Sequence, residues 1–103
     1  MKEVSREVAA IVVTYQPNLE QLLCLVKSLS DQVSTLYIVD NGSSTSVEHF
    51  SQVGVKLICL QENMGIAFAQ NVGINTAIED GFEDFVLFDQ DSLPSDSMMN
   101  ELF

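Results

Sequence analysis

The stretch VAAIVVTYQPNLEQLLCLVKSLSDQ, Val8 to Gln32, decides the fold class. Its first seven residues, Val8 to Thr14, make an unbroken, β-branched apolar run, the pattern of a strand covered on both faces. Pro17 and Asn18 then punctuate the chain. Asn18 is a good helix N-cap, and Leu19, Leu22, Leu23, Val26 and Leu29 follow at helical spacing, giving one apolar stripe up to about Gln32. A buried strand leading into an amphipathic helix is the building unit of a parallel sheet. The same alternation continues: Thr35 to Val39 is a second strand ending at Asp40, and Val55 to Leu60 a third. A second long helix runs from about Ile66 to Glu79, and Phe85 to Phe88 forms a fourth strand that ends in Asp89, Gln90 and Asp91. In that helix Ala67, Ala69, Val72, Gly73 and Ala77 keep side chains small for close packing on a sheet, and Gly81 stands where a helix C-terminal glycine belongs. Between the second and third strands, NGSSTS (Asn41 to Ser46) is turn chemistry with Gly42 free to take positive φ, followed by a short helical stretch near Val47 to Phe50. The expected class is α/β, a Rossmann-like three-layer α/β/α arrangement with a mostly parallel sheet.

Composition narrows what such a fold could do. The chain has 103 residues, 15 acidic against 4 basic side chains, a formal charge of −11 and 47% hydrophobic residues. So apolar a chain is not kept unfolded by charge repulsion. Nucleic acid is not an expected partner, because phosphate contacts need clustered Lys and Arg, whereas Lys2, Arg6, Lys27 and Lys56 are scattered. No apolar run reaches the roughly 18 residues of a membrane-spanning helix, and the amino terminus lacks a signal core, so a cytoplasmic location is expected. Cys24 and Cys59 have neither CxxC spacing nor a neighbouring His, and each stands in an apolar run, so they read as buried free thiols. Pro94 and Ser95 open a further helical pattern whose apolar residues, Met98, Met99, Leu102 and Phe103, have nothing after them to pack on. That pattern is expected of a truncated, single-unit segment of a larger domain, whose cut core would present an apolar patch able to drive non-native dimers.

In an open parallel sheet, ligands bind beyond the carboxyl ends of the strands. Here those positions are Thr14 and Tyr15, then Asp40, Asn41 and Gly42, then Asn63 to Gly65, and finally Asp89 with Asp91. Asp and Asn are also common turn residues, so any one exit alone says little. Asp89 and Asp91 lie two apart, so on an extended segment their carboxylates share a side and could hold one divalent cation. Hard oxygen ligands suit Mg²⁺ or Mn²⁺, and such sites use one or two carboxylates plus nucleotide phosphates. A diphosphate approaching this anionic chain, with no Lys or Arg at a strand exit, would need a bridging cation. There is no GxxxxGK[ST] loop and no GxGxxG, so phosphate-loop NTPase and dinucleotide readings find no support. His49, beside Phe50 without Cys or acidic ligands in register, reads as a surface or packing residue. A receiver-like signalling domain would need an acidic pair after the first strand and a Lys after the last, which are absent.

Four blocks, IVVTYQP (Ile11 to Pro17), VDNGSS (Val39 to Ser44), ENMGIAFAQNVGI (Glu62 to Ile74) and FDQDS (Phe88 to Ser92), resemble in order the family 2 inverting nucleotide-sugar glycosyltransferases of GT-A fold. Gln70, where many relatives carry Arg, together with DQDS is most similar to the bacterial rhamnosyltransferase branch, which uses dTDP-L-rhamnose in polysaccharide biosynthesis. The resemblance implies that residues 1–103 are the donor-binding, amino-terminal part of a nucleotide-diphospho-sugar transferase. It implies that Thr14 and Tyr15 line a nucleoside pocket, that Asp40 accepts from the pyrimidine N–H, and that Asn41 and Gly65 belong to the donor site. Gln70 would lie near the base or diphosphate, Asp89 would meet the ribose, and Asp91 would bind the Mg²⁺ or Mn²⁺, with Asp89 contributing. The catalytic base is expected after Phe103. The implied acceptor is a saccharide or lipid-linked saccharide, and the full-length protein would be cytoplasmic or peripheral to the inner face of the membrane. A non-catalytic nucleotide-sugar-binding module is the alternative.

Overall fold

The structure is a computed structural model that describes residues 7–44, 47–50 and 54–91. The order is β1 (Val8–Thr14), α1 (Leu19–Ser30), β2 (Thr35–Asp40), a 3₁₀ turn (Glu48–Phe50), β3 (Val55–Cys59), α2 (Ile66–Glu79) and β4 (Asp84–Asp89). The four strands form one sheet in the order β3-β2-β1-β4, with every pairing parallel. Chain order thus runs outward from β1 through β2 to β3, then crosses back to β4 on the other side of β1. Right-handed crossovers in opposite directions place their helices on opposite faces.

Strand alternation agrees with that arrangement. Ala10 and Val12 of β1, with Leu36 and Ile38 of β2, pack against Leu22, Leu25, Val26 and Leu29 of α1. Ala9 and Ile11, with Tyr37, meet Ala77 and Ile74 of α2, and Val13 with Val39 meets Ala69. All seven residues of β1 are buried, as its continuous apolar run requires. The three-layer expectation therefore holds.

Helix α1 starts at the Asn18 cap, whose side chain accepts from the Gln21 N–H at 3.0 Å. Leu25 occupies the core position that the sequence pattern gave to Leu23, which is exposed. Helix α2 has the expected bounds and lies unusually close to the sheet. Ala69, Gly73 and Ala77, four residues apart, form its buried ridge, while Ala67 faces out. A Cβ on Gly73 would stand 2.6 Å from Ile11 Cγ2 and 3.2 Å from Val39 Cγ2. The outer side of α2 and the β4 edge leave Ile66, Phe68, Ile78 and Leu87 exposed.

Two expectations need correction or restriction. Cys24 and Cys59 are free, as expected, but both are exposed: Cys24 follows Leu23 on the outward side of α1, and Cys59 ends the edge strand β3. Partial desolvation, followed by the charges of Asp40 and Glu48, pushes the Cys59 thiol above its ordinary range, so it stays protonated. The helical pattern after Pro94 and the side chain of His49 lie outside the described residues.

Candidate functional site

The site is built where the strands end, and each neighbouring pair of exits is fastened by side chains. β1 and β2 pair in the register Thr14↔Asp40. The Thr14 hydroxyl therefore donates to Asp40 Oδ1 at 2.7 Å, and both residues are buried. Asp40 also accepts from Ser43, through the backbone N–H at Oδ2 (2.9 Å) and the hydroxyl at Oδ1 (2.6 Å). A carboxylate buried to this depth, with 4% of its residue exposed, is stabilised by such donors. Gln16, at φ 46°, reinforces the same junction: its N–H donates to Ser43 Oγ (2.8 Å), and its Oε1 accepts from the Ser44 hydroxyl (3.0 Å).

The exits of β2 and β3 are joined by two asparagines. Asn41, buried, donates through Nδ2 to Asn63 Oδ1 (3.1 Å) and accepts at Oδ1 from the Met64 N–H (2.9 Å). Gly42 makes the approach possible. At φ 84° it takes the left-handed conformation, and a Cβ there would stand 2.5 Å from the Glu62 carbonyl carbon. Asn63 Oδ1 also accepts from the Gly65 N–H (2.8 Å), which sets the start of α2. At the other side of the sheet, the exits of β1 and β4 meet through Tyr15 and Gln90.

A cleft of about 350 Å³ opens among these exits. Tyr15, Asn41 and Asn63 line it together with Asp89, Gln90 and Asp91, and Val13 and Ile66 supply its apolar surface. Tyr15 is 46% exposed, so its ring is open to a ligand. Of the residues proposed from sequence, Tyr15, Asn41, Asp89 and Asp91 are brought together here. Thr14 and Asp40 lie beneath the exits rather than on the cleft wall, Gly65 stands between the lining residues Asn63 and Ile66, and Gln70 falls outside the lining. The lining also includes Val13, Ile66 and Gln90, which the sequence reading did not place at the site, and Asn63, which it named as a strand-exit position without giving it a role. Asn63 had a signal, since a polar residue just ahead of a helix start is a capping candidate. Gln90 had none, because alternation along an extended segment would turn it away from its neighbours.

The segment is not extended at that point. β4 ends at Asp89, and Gln90 with Asp91 forms a turn. The aspartates share the cleft because the chain turns, not because of strand alternation. Among the described residues there is no group of three or more His, Cys, Asp or Glu side chains placed to hold a metal ion. Two carboxylates nevertheless suit a Mg²⁺ or Mn²⁺ ion that keeps waters and takes its remaining oxygens from phosphate. Neither described basic side chain stands at a strand exit: Lys27 is in the last turn of α1, and Lys56 pairs with Asp80 at the carboxyl end of α2. The N-terminal end of α2, with no acidic residue in its first turn and Ile66 on the cleft, adds a partial positive charge.

No protein-family model matches the chain. The chain is 42% identical over 85 residues, 81% of its length, to the dTDP-rhamnosyl transferase RfbF of Shigella flexneri. Those residues are 29% of that relative, so the chain spans about three-tenths of its length.

Proposed function

We propose that this chain is the donor-binding part of a glycosyltransferase that takes L-rhamnose from dTDP-L-rhamnose and passes it, with inversion, to a saccharide or lipid-linked acceptor. The observation that carries this reading is the cleft in which Asp89 and Asp91 stand with Tyr15 and Asn41, on an acidic protein with no described cation at its strand exits. The 42% identity to a dTDP-rhamnosyl transferase supports it, and that relative's name is the basis for proposing dTDP-L-rhamnose as the donor. So does the order of the four sequence blocks, each of which reaches a strand exit with its described residues, the third running on into α2.

In this reading Tyr15 meets the nucleoside and Thr14 lies below it. Asp40 has Oδ1 taken by Thr14 and Ser43 but keeps lone-pair capacity on Oδ2 for a pyrimidine N–H. Asp91, with Asp89, would hold Mg²⁺ or Mn²⁺, and the bound ion would neutralise charge on the diphosphate. The reaction is a single displacement: the acceptor oxygen bonds to the anomeric carbon as the bond to the diphosphate oxygen breaks, and a carboxylate takes the acceptor proton. We assign that base to the part of the protein beyond Phe103, and the chemistry to the cytoplasmic side of a membrane. No described helix is long and apolar enough to cross one.

Calorimetric titration with dTDP and with UDP, in the presence and absence of Mn²⁺, tests the reading. Binding should need the metal, favour dTDP, and weaken about tenfold or more in Asp91→Ala, because that change removes a charged ligand oxygen. Equal binding without metal, or an unaffected Asp91→Ala variant, would overturn it.

A further inference from the structure

Between the two aspartates stands Gln90, and its carboxamide closes a two-way hydrogen-bonded pair with the backbone of Tyr15. The Tyr15 N–H donates to Oε1 at 2.7 Å, and Nε2 donates to the Tyr15 carbonyl at 3.2 Å. The backbone ladder between β1 and β4 runs only as far as Val13↔Asp89. One residue later the main chain of β4 turns away, and the Gln90 side chain takes over. A carboxamide offers one acceptor and a donor side by side, as a peptide group does, so Gln90 continues the β1–β4 pairing past the end of β4. The residues it joins all face the same cleft: Tyr15 on one side, Asp89 and Asp91 on the other.

We propose that Gln90 is a positioning residue that fixes the turn carrying Asp89 and Asp91 against Tyr15, and so sets the spacing between the metal-binding carboxylates and the nucleoside. The inference rests on the proposed donor-binding function. Chemistry restricts the position to an amide of this length. An ionised glutamate can only accept, so it would face the Tyr15 carbonyl without a donor, and asparagine is one methylene too short to reach both backbone groups. Being neutral, the amide also adds no third charge between two carboxylates.

The test compares the protein with Gln90→Met, which keeps length and loses both hydrogen bonds. Mn²⁺ binding is followed by electron paramagnetic resonance with and without dTDP, and Tyr15 amide exchange by NMR. Weaker Mn²⁺ binding in the presence of dTDP, by about three- to tenfold, is expected in the variant, matching the loss of neutral hydrogen bonds. The Tyr15 amide should exchange faster, while the Asn41 amide, bonded to the Thr14 carbonyl at 2.7 Å, should not change. A structural role alone would lower the melting temperature and leave the Mn²⁺ affinity of the folded protein intact. Equal affinity in protein and variant overturns the inference and leaves the donor-binding reading standing. No Mn²⁺ or dTDP binding by the unmodified protein overturns that reading and this inference with it. A Tyr15 amide that exchanges as fast as an unbonded one in the unmodified protein overturns the inference without any variant.

Discussion

Thr14 and Asp40 show how a single hydroxyl organises a strand exit. The Thr14 donor lies at 2.7 Å from a carboxylate oxygen, and both partners are removed from water. Thr14→Val keeps the shape and deletes the donor, leaving Asp40 Oδ1 with Ser43 alone. A buried charged acceptor that loses one partner costs about 1 to 3 kcal/mol, so urea unfolding should show that drop in stability with an unchanged m value. Thr14→Ser should recover most of it. A Thr14→Val protein as stable as the original would mean that Ser43 alone satisfies the carboxylate. Both residues were legible as exit positions, because an exit is where an apolar run stops. Their depth was not legible, since it depends on the register Thr14↔Asp40, a property of two strands 26 residues apart. The thiols failed for a related reason: an apolar neighbourhood in sequence does not say which side of a helix or which edge of a sheet a residue takes.

Helix α2 carries the corresponding lesson for elements. Its bounds, Ile66–Glu79, were readable from the Asn63 to Gly65 turn and the small residues that follow. Which of those residues touch the sheet was also largely readable, since Ala69, Gly73 and Ala77 repeat every four positions. For α1 the repeat pointed to Leu23, and the placement of the helix over β1 and β2 buries Leu25 instead. The close seat of α2 makes Gly73 the sensitive point. A methyl group there meets Ile11 Cγ2 at 2.6 Å, inside a fully buried strand that cannot retreat. Gly73→Ala should therefore destabilise by about 1 to 3 kcal/mol through overpacking, although alanine is the better helix former. A thermal midpoint equal to or above that of the unmodified protein would show that α2 shifts freely on the sheet. Because the Asn63 to Gly65 turn at the head of α2 is bonded to Asn41, a forced shift should also disturb the cleft.

At the scale of the whole molecule, a cluster at the far end from the cleft makes a pH-dependent contribution to stability. Asp80 accepts from Lys56 at 2.7 Å and from the buried Tyr37 hydroxyl at 2.6 Å, tying the end of α2 to β2 and β3. The hydrogen bond from Lys56, and then that from Tyr37, hold the Asp80 carboxyl below its ordinary range. Burial, and then the hydrogen bond to Asp80 and its charge, push the Tyr37 phenol above its own range. The signs are opposite. A depressed carboxyl stabilises the fold above its unfolded value of about 4 and loses that contribution as pH falls through the depressed folded value. A raised phenol contributes fully below its unfolded value of about 10, and the contribution fades as pH rises beyond it. The protein's net charge of −11 acts in the other direction at the acid limit, because protonating carboxylates first relieves self-repulsion. At the alkaline limit that repulsion grows, so a comparison of variants is needed to separate the cluster from it. Melting temperatures measured between about pH 7 and 11 should fall above pH 10, the ordinary phenol value, in the unmodified protein, and Tyr37→Phe should lower the neutral-pH value while flattening that fall. The comparison belongs in high salt, where the diffuse repulsion is screened and the buried phenol is not. An equally steep alkaline fall in Tyr37→Phe would assign the limit to the acidic surface as a whole instead of to this one hydroxyl.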